Sequence, residues 1–340
     1  MCRPPASPSV VHSGDAPAGA LGDKSPTPAP RARGFLEHVS SVLTAVALWT
    51  LLCLVPLVCA SRYERIWPAS WYAYDPHSKG TPSPLGLSLG ILAVAVGQMP
   101  VLAYQFARWR GSRWFGPTVR IQSNEIRTYD YGEGAASHLA QPEGFALIGG
   151  YLTATWLLRM MPHSYYAFTG GIDWARVFAC LLTQDALQYG MHRLEHKASK
   201  ALYRASHEPH HQFTNPRLFD AFNGSFTDTC LMIVIPLYAT ANIVHCNVWT
   251  YMAFGSLYAN WLCLIHSESH HAWDSLFAAC KFGTAADHHV HHLLFVSNYG
   301  HLFMYWDMLC GTYRNPKSVG QFRPNGKPPR AWKPHKPKAS

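Results

Sequence analysis

Charge is scarce in this 340-residue chain. Asp, Glu, Lys and Arg make up 14% of it, against roughly 25% in an ordinary soluble domain. Aromatic residues reach 13%, so the bulk of the sequence is neither disordered nor a nucleic-acid coat, despite a net charge of +9. The excess charge is local: from Arg314 onward there are eight Lys or Arg and no acid, leaving 20 basic and 19 acidic groups before it. The nine cysteines contain no CxxC pair, which argues against a disulfide scaffold and for reduced thiols. A mean hydropathy of −0.06 averages polar ends with apolar middles.

Those middles are long. Residues 39–61 carry no charge, nor do 80–107 and 144–158, and 174–191 is interrupted only by Arg176 and Asp185. Residues 229–267 form a run of 39 without Asp, Glu, Lys or Arg, enough for two spans turning near Asn242 to Asn247. A bilayer core takes about 20 apolar residues as a helix, and without water only helices or closed barrels satisfy the backbone there. The expected fold is therefore all-α, a polytopic membrane helical bundle. The alternative is a soluble all-α protein, but five such runs rarely coexist in one. Residues 1–34 hold seven prolines amid Ala, Ser and Gly and are expected to be disordered.

Positive charge sets the expected orientation. Arg3, Lys24, Arg31 and Arg33 precede the first run, and Arg108, Arg110, Arg113, Arg120 and Arg127 follow the second. Only Arg62, Arg65 and Lys79 lie between them. This places the N-terminus, the basic tail and the histidine clusters described next on the cytosolic side.

Histidine is the abundant residue, with 20 in the chain and 14 of them between His192 and His301. They gather as His192 and His196, as His207, His210 and His211, and as His288, His289, His291 and His292, with His266, His270 and His271 between. Positions i, i+3 and i+4 share a helix face, so each cluster is expected to aim two or three imidazoles one way. Asp185 precedes His192 by seven residues and His196 by eleven, which returns to the same face. A carboxylate in an apolar run needs a partner, and the N–H of a metal-bound imidazole is a natural one. No cysteine accompanies the clusters, as it often does in structural zinc sites, and eight or more nitrogens suffice for two ions of a metal that imidazole suits, Fe, Cu or Zn. The fold is thus expected to carry a histidine-rich di-metal cap. A redox metal pair that reduces O2 can attack unactivated lipid C–H bonds, which acid–base groups cannot.

With Pro216 five residues beyond His211, and with Asn298-Tyr299-Gly300, Trp306-Asp307 and Gly311-Thr312 after His292, the pattern resembles the fatty acid hydroxylase/sterol desaturase superfamily over about residues 180–316. The resemblance implies an O2-dependent non-haem enzyme with two Fe ions in the endoplasmic reticulum membrane. It also implies electrons from NAD(P)H through a cytochrome b-type carrier and its reductase. The implied metal ligands are His192, His196, His207, His210, His211, His266, His270, His288, His291 and His292. Relatives of this kind often carry a His-Pro-x-Glu element where this chain has Ser225-Phe226-Thr227-Asp228; the acid is kept as Asp228, a further candidate. Lys336 and Lys338 resemble a di-lysine retrieval signal, or serve a basic tail drawn to anionic headgroups. The implied organisation is 35–143 as a membrane helix pair with a basic loop, 144–313 as the catalytic domain and 314–340 as the tail.

The expected substrate is a sterol intermediate, with ring-B desaturation favoured over 4-methyl oxidation on residues 298–316. Fatty acid or sphingolipid hydroxylation is the alternative, and a metal-binding membrane protein is the non-enzymatic one. A nucleic-acid partner is not expected. Trp249, Tyr251, Phe254, Tyr258 and Trp261 either stack on a rigid ring system or pack against neighbouring helices.

Overall fold

A computed structural model describes residues 35–68, 71–72, 82–110, 119–122, 130–139 and 147–322. The segment 1–34, residues 323–340 with the two lysines near the end, and residues 111–118 and 123–129 of the arginine-rich loop lie outside these. Among the described residues there is no strand, only two isolated bridges, Arg120 with Ser269 and Phe282 with Phe303.

Each uncharged run contains a helix. The first is α1 (Phe35–Ile66), followed by α2 (Pro84–Trp109), the short α3 (Tyr131–Leu139) and α4 (Leu147–Leu157). Next comes α5 (Trp174–Lys197), started by Asp173, whose carboxylate accepts from the Arg176 N–H. Two short helices follow, α6 (Lys200–Ser206) and α7 (Glu208–His211). The long apolar run divides into α8 (Phe226–Thr229), a π-helical turn (Cys230–Val234), α9 (Ile235–Ile243) and α10 (Val248–Ile265). Pro236 accounts for the π turn, since it offers no N–H and crowds the carbonyl four residues back. The chain turns between α9 and α10, where two spans were expected to meet, and Asn247 caps α10 by accepting from the Thr250 N–H. The last helices are α11 (Asp274–Ala279), α12 (Ala285–Leu294) and α13 (Tyr305–Leu309).

Helix α10 is apolar all round and almost wholly buried, as a central helix must be. It packs against α1, α2 and α5. Its aromatic residues pack against neighbouring helices and loops. Trp249 meets Phe168, Tyr251 meets Tyr165, and Trp261 lies on Phe277 and Trp49. The outward faces of α1 and α2 are apolar too, with Leu43, Val46, Leu51, Leu54 and Val58 exposed on one and Leu92, Met99 and Phe106 on the other. By length and composition, Leu85–Trp109 and Phe226–Ile243 are each able to cross a membrane.

Small residues let α2 and α10 approach. A Cβ on Gly97 would collide with Ser256 Oγ and Cβ, and one turn on, Asn260 Nδ2 donates to the Gly97 carbonyl at 2.6 Å. We expect Gly97→Val to force the pair apart and lower stability by about 1–3 kcal/mol. Thermal unfolding in detergent checks this, with Ser256→Gly restoring part of the loss in the double variant.

Candidate metal centre

Four segments bring imidazoles to one place. The last turns of α5 carry His192 and His196, one helical turn apart. His207 sits at the junction where α6 ends and α7 begins, and α7 carries His210 and His211. His266 caps the end of α10. Helix α12 presents His288, His291 and His292 after a capping box in which Thr284 and Asp287 satisfy each other's backbone N–H.

The nine rings form two groups. His192, His196, His207, His211 and His291 make one; His210, His266, His288 and His292 make the other. All nine meet through Nε2. In the first group the Nε2 separations are 2.9 Å for His192–His207, 3.1 Å for His196–His211 and 3.0 Å for His211–His291. In the second they are 3.3 Å for His210–His266, 2.9 Å for His266–His288 and 3.1 Å for His288–His292. The clusters thus do not each aim one way. His207 and His211 join one group while His210 joins the other, and His288 and His292 join the second while His291 joins the first.

The protons tell whether these are hydrogen bonds. A carbonyl or carboxylate can only accept, so an imidazole nitrogen facing one carries the proton. His192, His210, His266 and His291 donate from Nδ1 to the carbonyls of Tyr299, Asn223, Leu262 and Ser297 at 2.6–2.8 Å. His207 donates from Nδ1 to Asp228 Oδ1 at 2.7 Å. A neutral imidazole has one N–H, so these five present bare lone pairs at Nε2. In the pairs His192–His207 and His210–His266 lone pair therefore faces lone pair, an arrangement that a cation between them makes favourable. Nitrogens bound at about 2.1 Å and at right angles would stand about 3.0 Å apart, close to what is seen. The two groups fit two metal ions of a kind that imidazole suits.

Burial keeps the remaining four rings neutral. His196, His211, His288 and His292 are pushed below the ordinary imidazole value, first by burial and then by neighbouring positive groups, chiefly other imidazoles. They stay neutral and available to a metal.

The supporting shell corrects two expectations. Asp185, fully buried, bonds no imidazole. It accepts from the backbone N–H groups of His301, Leu302 and Phe303 and from Trp306 Nε1 at 2.7–3.3 Å. The loop after Gly300 supplies donors at closer range than any ring on its own helix, so Asp185 secures the loop beside Tyr299, whose carbonyl in turn holds His192. His270 joins neither group. The helix ends at His266, so the i+4 relation that would have aligned the two is lost, and the His270 ring, 36% exposed, bonds Asp274 at 3.1 Å. Asp228 is the carboxylate that grips a candidate ligand directly. Ser225 fixes it, accepting from the Asp228 N–H at 3.0 Å while its hydroxyl donates to the Ser206 carbonyl at 2.7 Å.

The motif after α12 is a bracket for the same carbonyls. Asp307 accepts from the N–H of Tyr299 and Gly300 and from the Thr312 hydroxyl at 2.6–2.9 Å. Asn298, at φ 55°, donates to the Asp287 and Arg314 carbonyls. Spacing gave no signal for the carbonyls that orient four of the rings, since any residue supplies one. Glu195, which directly precedes His196 and so lacks the Glu-x-x-His spacing of di-iron carboxylate bundles, nevertheless lies with its Oε2 3.9 Å from His207 Nδ1, grouped with His207 and Asp228. His289 is a tie, not a candidate ligand: Nε2 donates to the Ser267 carbonyl and Nδ1 accepts from Gln122.

Comparison with known proteins bears on this site. Residues 177–312 match the family model for fatty acid hydroxylase. The chain is 52% identical over 307 residues to the alternative squalene epoxidase of Phaeodactylum tricornutum, covering 87% of this chain and 88% of that one. It is 29% identical over 142 residues to methylsterol monooxygenase 1 of Danio rerio, 41% of this chain and 46% of the relative. With lathosterol oxidase of Rattus norvegicus it shares 30% over 154 residues, 42% and 46% of the two chains. It spans less than half the length of those last two relatives. No solved structure matches.

Three outcomes follow from the geometry. Asp228→Ala frees His207 to rotate and should weaken retention of a bound metal about 10–100-fold, read by competition with a chelator. Asp185→Ala strands three backbone N–H groups and an indole N–H, and should cost about 3 kcal/mol or more, with Asp185→Asn milder; thermal unfolding reads both. The third outcome concerns pH. In the unfolded chain the imidazoles of His192, His196, His211, His288, His291 and His292 protonate as pH falls through about 6.5, while burial keeps them neutral in the fold. The unfolded state then binds more protons, so the metal-free protein should lose stability as pH drops below about 6.5 and gain little above it. Denaturant midpoints at pH 8 and 5.5 measure this.

Proposed function

From the premise that the chain belongs to the fatty acid hydroxylase family, we propose that it is a membrane di-iron oxygenase that epoxidises squalene or a closely similar acyclic triterpene. The single observation that carries the dinuclear metal reading is the pairing of lone pairs at His192–His207 and His210–His266, 2.9 and 3.3 Å apart. The substrate reading rests on the extent of likeness. The relatives whose printed names concern sterols, such as lathosterol oxidase, match about two fifths of the chain, whereas the squalene epoxidase matches 87% of it. Ring-B desaturation or 4-methyl oxidation of a sterol is the second reading, supported by residues 298–316.

Bound iron would supply reduction of O2 to an oxidant able to attack a carbon–carbon double bond. The reaction balances as O2, two electrons and two protons giving one oxygen to the epoxide and one to water. The protein's own part is positional. His192, His196, His207, His211 and His291 would hold one ion, and His210, His266, His288 and His292 the other. Asp228 and four backbone carbonyls lock five rings so that each keeps its lone pair inward. The buried setting excludes bulk water, which protects a strong oxidant from side reactions. Electrons would come from NAD(P)H through a cytochrome b-type carrier, at the cytosolic face of the endoplasmic reticulum membrane.

Expression in cells whose own squalene epoxidation is blocked tests the reading. We expect restored sterol and, in membranes given labelled O2, an epoxide carrying one labelled oxygen. Rescue instead of a strain lacking ring-B desaturation or 4-methyl oxidation would establish the second reading. Fewer than two iron ions per chain after anaerobic loading would sink the dinuclear one.

A further inference from the structure

One imidazole stands at the centre without belonging to either group. His301 is 5% exposed, and its ring centroid lies 5.1 Å from that of His192 in the first group and 5.0 Å from that of His288 in the second. It therefore lies against one ring of each group. Its backbone is clamped from both sides. Asp185 Oδ1 accepts its N–H at 3.3 Å, and its carbonyl accepts from Trp261 Nε1 at 2.9 Å. Gly283 leaves no room behind it, because a Cβ there would strike the His301 carbonyl. The ring cannot withdraw by a small shift of the loop.

His301 also differs from the histidines that serve as ties. His289 engages both ring nitrogens, with Ser267 and Gln122. His271 engages both as well, with Leu264 and Tyr104. In His301, by contrast, Nδ1 is buried and meets no hydrogen-bond partner, a property it shares with the candidate ligands His211, His288 and His292 but, unlike them, without its other nitrogen joining a group. A buried polar atom without a partner is costly, and it persists where function supplies the partner. The atom belongs to a ring that touches both groups, and an ion pair held by nine nitrogens still has positions for a small exogenous ligand.

We propose that His301 hydrogen-bonds the small diatomic or anionic ligand that binds between the two ions. The inference rests on the metal reading above but not on the choice of lipid. His301 is then a residue that steadies this ligand rather than one that holds iron. In the tautomer with its proton on Nδ1, it is the donor.

Azide binding to the iron-loaded full-length protein tests this, followed by the charge-transfer absorbance of the azide complex. His301→Phe keeps a planar ring and removes the donor, and His301→Gln keeps an N–H donor. We expect all three proteins to hold the same number of ions. Azide should bind about 10–100-fold more weakly to H301F, the range for losing a hydrogen bond to a charged group, and within a few-fold of wild type to H301Q. If H301F is not recovered folded, His301→Met supplies the donor-free comparison. Unchanged azide affinity and absorbance in the donor-free variant would overturn the inference alone. Loss of one ion in that variant would also overturn it, by making His301 a ligand. A wild-type protein without iron would overturn the metal reading and this inference together.

Discussion

Nine imidazoles meeting through the same ring nitrogen is the constraint on which the rest of the molecule depends. Neutral imidazoles at 2.9–3.3 Å cohere either by alternating donor and acceptor or around a shared cation. Alternation is closed off in the pairs His192–His207 and His210–His266, because both rings of each have already given their single proton to an acceptor on the outer side. Each such acceptor does two things at once. It fixes a ring's orientation, and it assigns the tautomer that leaves Nε2 bare. Outer hydrogen bonds that look like ordinary packing therefore decide the chemistry of the interior.

This explains why polar anchors are buried so deeply around the site. Asp185 and Asp307 are both fully buried, and each takes several N–H donors from the loop 298–303. Neither touches a candidate ligand. They hold the loop whose Tyr299 carbonyl faces His192 and whose His301 ring lies between the groups. A carboxylate accepting three or four N–H bonds is a stiff bracket, because no single donor can leave without stranding a charge. Gly300 is required inside it, since a Cβ would stand 2.9 Å from Asp307 Oδ2.

The helices were legible because uncharged runs and turn residues are local signals. The turn expected near Asn242 to Asn247 within residues 229–267 is where the chain turns, between α9 and α10. The π turn before Pro236 was not read, because its register depends on how the broken hydrogen bonds resettle. At the site, residue type pointed to a di-metal centre, and nine of the ten histidines singled out do come together. His270 does not, because helical periodicity was carried past a helix end that only the fold reveals. The same limit misdirected Asp185: its face on α5 was right, but its partners come from more than 110 residues away. Spacing along one helix says which residues align, not which distant backbone arrives to meet them.

The distribution of ligands has a consequence for assembly. The first group draws on α5, on the α6–α7 junction, on α7 and on α12; the second draws on α7, on the end of α10 and on α12. Helices α7 and α12 each divide their histidines between the groups, so neither ion site can be completed while the other is open. Without cations, closing these segments brings bare lone pairs together and buries them. With cations, the same closure is strongly favourable. Metal binding to such a site is then part of the folding free energy, and docking of the histidine-bearing segments and capture of the two ions are a single event. The two long apolar helices and the packed α10 are a different matter. Their stability comes from apolar burial and close helix contact, so the bundle can form first and present half-built sites that the metal completes.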